Sequence, residues 1–330
     1  MIAVKTCNTA AATSAAMKQA VSLLLILSLA FGLAACGNAG PKTHKVKKWE
    51  NAQEAIDSAK SNDIIDLSKL STPDQAYLLV IPSTYSLTLR GNPDEVFIGL
   101  SVDCVGENTL TLDNMRMVST SADALSAIQF VSYGNQLILI GLNEVIFADT
   151  TDPAIGAGAA IGVSSSATLT ISGSGSLHAV GGGRGAGIGS GFGVDAGTIY
   201  IREGSIKAEG GSIDSDLGGA GIGSGANATF ASITMTGGTV FAIGGTNRAG
   251  IGSAQGSGVG LININGGELM AQAGPGEAQA INGNIESLPG SYTWWATTTR
   301  PPTDSDAGTN FPDEPFNNAQ QYKFVWIKSR

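Results

Sequence analysis

The chain has 330 residues, of which 14% are charged, and 46 are glycine, about twice the glycine share of an ordinary globular domain. With 18 basic against 27 acidic residues it carries a net charge of −9, which argues against a nucleic-acid partner, and three cysteines are too few for a disulfide-stapled scaffold. The length allows a sizeable core in one or two domains, and the glycine excess points to turns and tight coils.

The first element is a targeting segment. After Lys18 an apolar run of about 15 residues, within AVSLLLILSLAFGLAACGN, ends in small residues before Cys36. It is too short and wrongly flanked for a spanning helix and reads as an export signal. Leu33, Ala34, Ala35 and Cys36 resemble the lipobox of bacterial lipoproteins. The resemblance implies cleavage before Cys36, a covalent lipid such as palmitate on that residue, and residues 1–35 as the signal peptide. MKQAVSLLL, from Met17, is a shorter signal of the usual form, so Met17 competes with Met1 as the start. With Cys7 removed and Cys36 lipidated, Cys104 has no intrachain partner, and loss of Lys5 and Lys18 takes the net charge to −11. Residues 36–48 are expected to form a flexible tether whose PKTHKVKK run keeps lysines beside the bilayer. Gly37 stands where an aspartate would mark inner-membrane retention, which implies an outer-membrane or cell-surface address for the anchored protein.

The next elements form one series. WENAQEAIDSAKSNDIIDL places Ala52, Ala55, Ile56 and Ala59 on one helical face, predicting a short helix that covers the first of a set of stacked coils. Short β-rich runs succeed it: LLVI (78–81), SLTLRGN (86–92), VFIGLSV (96–102), NTLTLDN (108–114), AIQFV (127–131), QLILIG (136–141) and EVIFAD (144–149). From there a repeat is visible. Registering the glycine runs on Ile161, Ile188, Ile222, Ile251 and a degenerate Ile281 gives intervals of 27, 34, 29 and 30 residues. Each interval holds two more alternating runs, such as TIYIRE then SIKAEGG, or LININGG then ELMAQAG. Three strands per coil with glycine corners describe a parallel β-helix over 49–290, with about seven or eight coils between residues 63 and 283. Its inward positions are Ile199, Ile201, Ile233, Met235, Ile262 and Ile264 on the second strand, and Ile206, Ala208, Val240, Ala242, Leu269 and Ala271 on the third. Tyr200, Lys207, Thr234, Phe241, Asn263 and Met270 point outward.

Residues 291–330 abandon the repeat and hold three of the four tryptophans. YKFVWI reads as a last strand and Trp294–Trp295 as a lid on the final coil, whose edges would otherwise be open. The sharper alternative is that these aromatics stack on sugar rings. The progression AIDSAKSNDIIDL, LTLRGN, LTLDN and the coils after it resemble the right-handed parallel β-helix of the pectin-lyase-like superfamily. The GAGIGSG repeats with the YTWW and YKFVWI segments resemble a group of bacterial surface proteins, some labelled carbohydrate-binding. The resemblance covers residues 49–330 and implies an all-β, right-handed solenoid with an N-terminal capping helix and an aromatic-rich C-terminal cap. It specifies fold far better than function.

The glycine runs are the first candidate for chemistry. Gly221, Gly223 and Ala226 satisfy the loose dinucleotide pattern G-x-G-x-x-A, but a strand, TFASITMTGG, comes after it where a helix is required, and the motif recurs coil after coil. No Gly-Lys-Ser/Thr follows any run, which excludes a P-loop. GFGVDAG (191–197) resembles a calcium-binding nonapeptide but is not tandem, so calcium is not expected. Alternation turns Gly187, Gly189, Gly221, Gly223, Gly250 and Gly252 outward. The result would be a strip of nearly bare backbone, serving turn geometry or, with Arg184 and Arg248 neighbouring at its edge, a candidate ligand face.

The lyases and hydrolases of this fold use clustered aspartates, often with calcium, and a basic residue on one outward face. Here the third-strand column reads His178, Lys207, Phe241, Met270 and the second Thr170, Tyr200, Thr234, Asn263, with no carboxylate column. Asp195 aligns with Thr229 and Gly258, Asp214 and Asp216 sit in an inserted loop, His44 lies in the tether, and His178 stands alone. Neither a zinc site nor a catalytic triad can be assembled. The expectation is a lipid-anchored, non-catalytic surface module, without metal or cofactor other than the Cys36 lipid, that binds polysaccharide, matrix or a surface protein. The alternatives are a structural envelope lipoprotein without ligand and a polysaccharide lyase or hydrolase.

Overall fold

The structure, a computed structural model, describes residues 40–121, 124–148, 157–212, 218–253, 260–276, 279–288, 291–303 and 322–330. Contacts divide the chain into Met1–Gly40 and Pro41–Arg330, and the fold is that of the second unit. Cys36 lies outside the described residues.

Short alternating runs cannot each bury an apolar face alone, so they stack. Ala159–Val163, Thr168–Ser172 and Ser176–Val180 make one coil, and Ile188–Gly189, Ala196–Ile201 and Ser205–Glu209 make the next. Each strand pairs in parallel with its counterparts one coil before and after, which builds three sheets. The first has eight described strands, from Tyr77–Ile81 to Ile281–Asn282. The second has ten, from Thr43–Lys45 to Asn284–Ser287. The third runs in parallel from Phe97–Ile98 to Glu268–Gln272 and then adds Phe324–Ser329 and Tyr292–Thr297 in antiparallel pairing. The fold is an all-β, right-handed parallel β-helix. Ile161, Ile188, Ile222, Ile251 and Ile281, the reference positions of the sequence repeat, are paired neighbours on the first sheet.

The twelve inward positions expected on the second and third strands are all buried. Burial of each isoleucine, valine or leucine among them contributes about 1.5–3 kcal/mol before entropy is charged against it. Corner amides tie coils together: Asn135 Oδ1 accepts from the Asn108 backbone N–H at 2.9 Å, and Asn108 Oδ1 accepts from that of Tyr85 at 3.1 Å. Cys104 points into the core, fully buried, and burial raises its thiol pKa far above the usual range, so it is inert.

Both ends are covered. The N-terminal helix spans Ala52–Ser58 behind a 3-10 turn at Trp49–Asn51, with Ala52 and Ile56 buried, and the neighbouring Ala59 is buried at its C-cap. Trp49 stands edge-on to Phe97 at 5.2 Å and lies 5.7 Å from Tyr77, closing the first coil. At the other end Trp294 and Trp295 are buried, and Trp295 stacks on Trp326 at 4.2 Å. The lid expected there is thus a pair of added strands.

Part of the segment expected to be a flexible tether, residues 43–46, is instead built into the solenoid. Thr43–Lys45 pairs in parallel with Asp63–Asp66, and Val46 is buried. Without that strand Asp63–Asp66 would be an open edge. Asp63 fixes it, accepting hydrogen bonds from the backbone N–H of Lys42 at 2.8 Å and of Lys60 at 3.0 Å and pairing with His44 Nε2 at 2.8 Å.

Candidate functional site

The glycine strip is not an open face. Gly187, Gly189, Gly221, Gly223, Gly250 and Gly252 are all buried. Alternation does turn them away from the core, but the third-sheet strand ends at Glu209, Ile243 and Gln272 close over Gly187, Gly221 and Gly250. A Cβ on Gly187 would lie 2.8 Å from the Glu209 nitrogen, one on Gly221 2.6 Å from that of Ile243, and one on Gly250 2.7 Å from that of Gln272. Gly189, Gly223 and Gly252 have φ of +141°, +137° and +141°, and a Cβ on each would be driven onto the carbonyl oxygen of the next coil. These glycines serve close coil-to-coil packing. The arginines at the strip's edge do not make a shared site either: the isoleucine register places Arg184 and Arg248 two coils apart. Arg248 is 1% exposed and donates from Nη1 to the Asn247 carbonyl at 2.8 Å, whereas half-buried Arg184 sits 5.0 Å over the Phe192 ring.

The outer face of the third sheet carries the chemistry. Because Val145, Leu177, Ile206, Val240 and Leu269 point inward, their neighbours in the alternation point out. Strand pairing joins Arg116, Glu144, His178, Lys207, Phe241, Met270, Trp326 and Trp295 into one outward column, each residue directly paired to the next. At about 4.8 Å per strand the column is roughly 34 Å long. Its first half is charged. Arg116 donates to Glu144 Oε2 from Nε at 3.1 Å and Nη2 at 2.8 Å. Glu144 Oε1 lies 3.4 Å from His178 Nδ1. His178 Nε2 is 2.6 Å from Glu209 Oε1, which also receives Lys207 Nζ at 2.6 Å. Pro93, Leu142 and Ser176 join Arg116, Glu144 and His178 around a shallow cavity of about 330 Å³.

Partial burial alone would raise the Glu209 carboxyl, but hydrogen bonds from Lys207 and His178, and their charges, outweigh it and hold the group below the ordinary glutamate range. His178 is therefore not alone. The carboxylates around it are Glu144, in its own column, and Glu209, one outward position further along its strand. Both were available to sequence reasoning: EVIFAD turns Glu144 outward once Val145 points in, and SIKAE turns Glu209 outward with Lys207. The second half of the column is apolar and aromatic, and Trp326 Nε1 donates to Glu268 Oε1 at 2.9 Å.

The remaining candidates separate from this face. Thr170, Tyr200, Thr234 and Asn263 form an uncharged outward column on the second sheet. Asp195 meets Thr229 as the alignment predicted: its Oδ1 accepts from the Thr229 backbone N–H and hydroxyl, both at 2.8 Å, which holds its carboxyl low and clamps two coils together. Asp214, Asp216 and Gly258 lie outside the described residues. Among the described residues, no group of three or more His, Cys, Asp or Glu is placed to hold a metal ion, and no helix is long and apolar enough to cross a membrane.

Residues 169–192, 199–226 and 233–257 match the Beta helix repeat family, covering three successive coils in the middle of the solenoid. No curated protein and no solved structure matches the chain.

Proposed function

We propose that this β-helix is a non-catalytic polysaccharide-binding module, anchored in a bacterial outer envelope by lipid on Cys36, with the glycan lying along the outer face of the third sheet. The observation that carries the reading is the single column in which paired charges, from Arg116 to Lys207, give way to the partly exposed Phe241, Met270 and Trp326, the last backed by the buried Trp295 ring. Sugars offer apolar C–H faces and rows of hydroxyls, and a face of this kind meets both, with aromatic bodies beside hydrogen-bonding groups. The stacked coils hold these side chains at a fixed repeat, so little ordering entropy is lost on binding. Support for the anchor is the LAAC sequence at Cys36 behind an apolar export signal.

The absence of catalysis on this face is supported by the state of its two acids around His178. Glu144 is committed to Arg116 and His178, and Glu209 to Lys207 and His178. Glu209 is held low, whereas a glycosidic general acid needs a raised carboxyl. The test is binding of the soluble chain from residue 37 to a panel of bacterial, plant and host polysaccharides, with calcium and with chelator. Saturable binding of one glycan class that Trp326→Ala weakens is the expected result. Silence across the panel would favour a structural envelope lipoprotein instead. A lyase or hydrolase reading draws on His178 lying between two carboxylates. New chain ends appearing in a bound glycan, and ceasing in His178→Ala, would replace the non-catalytic assignment.

A further inference from the structure

A second cavity lies on a different face. Over the first three coils the outer side of the first sheet lacks glycines, and a cleft of about 470 Å³ opens there, a volume in the range of small-molecule sites. Ser101, Asp103 and Gln129 line it, with Asp103 paired directly to Gln129 across the sheet. Around them stand Leu78, Leu125 and Val131, which are 51%, 67% and 41% exposed and give the cleft a mainly apolar wall.

The polar groups of this cleft are unequal. Ser101 Oγ is engaged with Ser119 Oγ at 2.7 Å. Gln129 spends its amide hydrogens on the Phe130 carbonyl at 3.2 Å and Ser164 Oγ at 3.0 Å, which leaves its oxygen as an acceptor. Asp103 differs from the acids of the charged outer columns. Asp113, Glu144 and Glu209 each meet a cation. Among the described residues neither a hydrogen-bond donor nor a cation acts on the Asp103 carboxyl, and burial alone raises its pKa. A half-buried carboxylate without a counter-charge costs free energy that a bound cation would recover.

We propose that this cleft binds a small organic cation, an ammonium group on an aryl or alkyl body, with Asp103 as counter-ion and Leu78, Leu125 and Val131 packing the apolar part. The site offers acceptors and a negative charge, so its ligand must bring donors and a positive one. The apolar wall selects against strongly hydrated inorganic ions, which have no surface to bury there. This site is independent of the glycan face and stands or falls separately from it.

The experiment is calorimetric titration of the purified protein with benzylamine and, in parallel, with benzyl alcohol, its uncharged counterpart of like shape. Saturable benzylamine binding, at least tenfold tighter than that of the alcohol, is expected. Asp103→Asn, an isosteric change on an outward position, should remove that preference, and Leu125→Ser should weaken benzylamine several-fold while leaving the preference intact. Equal binding of amine and alcohol would reduce the cleft to an apolar dent and overturn the proposal. So would unchanged binding by Asp103→Asn with retained β-sheet circular dichroism, or no saturable binding of benzylamine. Binding of a lysine-bearing peptide in the absence of any benzylamine binding would also overturn it, in favour of a protein partner.

Discussion

Gly223→Ala puts the role assigned to the buried glycines to a quantitative test. Gly223 has φ +137°, and a Cβ there would be driven onto the Gly252 carbonyl oxygen of the adjacent coil. Holding alanine in that conformation costs about 1–3 kcal/mol. Forcing an extra carbon into close-packed backbone adds about 1–3 kcal/mol more. The expected loss is thus about 2–6 kcal/mol, a large part of the roughly 5–15 kcal/mol that holds an ordinary domain folded. Gly193→Ala is the control: φ is +67° there, but nothing lies within 4 Å of a Cβ, so only the conformational cost of about 1–2 kcal/mol applies. Urea unfolding gives the overall loss, and hydrogen exchange at the Ile222 and Ile251 amides locates it, since coils can open locally. A Gly223→Ala protein no less stable than Gly193→Ala would refute close packing as the reason for these glycines.

Three further outcomes are expected from other parts of the structure. Burial tends to raise Asp63, but bonds from the Lys60 and Lys42 backbone and from His44 lower it further, to about 2 from the ordinary 3.8. Its folded value is depressed, so its contribution is full above the ordinary carboxylate value and is lost as pH falls from about 4 to about 2; hydrogen exchange of the Ile64 amide, which donates to Lys42, should accelerate in that window, and Asp63→Asn should reproduce the effect at neutral pH. Trp326→Ala removes the ring stacked on Trp295 and should weaken glycan binding by at least tenfold, equivalent to about 1.4 kcal/mol, by calorimetry; undiminished affinity would move the glycan site elsewhere. Cys36→Ala should carry the protein from the membrane to the soluble fraction, and a variant that still sediments with membranes would remove the lipid anchor.

Fold was legible because a repeated contact leaves a repeated residue. Isoleucines 27 to 34 residues apart in sequence became paired neighbours, and the inward partners of TIYIRE and SIKAEGG were given by alternation alone. Alternation reports which way a side chain points but not what lies over it. That is why Gly187 and Gly221 could be placed outside the core and still be covered by Glu209 and Ile243. The charged face was harder to see because its acids do not recur at one repeat position. Glu144 belongs to an early coil without the glycine signature, and Glu209 occupies the outward position beyond Lys207. His44 with Asp63, 19 residues apart on adjacent strands, left no pattern at all, since a single pair has no period. Asp103 was silent for the same reason: its cleft is made by neighbours from three coils, brought together only by the winding of the chain.

The antiparallel close of the third sheet gives the molecule one finished end, and the coils before it are near-equivalent modules. Ile222 meets Ile188 on one side and Ile251 on the other, with Gly223 between Gly189 and Gly252 in the same register. Excision of a whole module, residues 222–250, would bring Ile251 onto Ile188 and Gly252 onto Gly189, reuniting surfaces of the same kind. Duplication would do the reverse, each copy lengthening the rod by about 4.8 Å. Length is therefore a property that recombination between repeats can change in whole steps without redesigning either terminus. Descendants of this gene could thus carry a longer or shorter rod while keeping the same two ends.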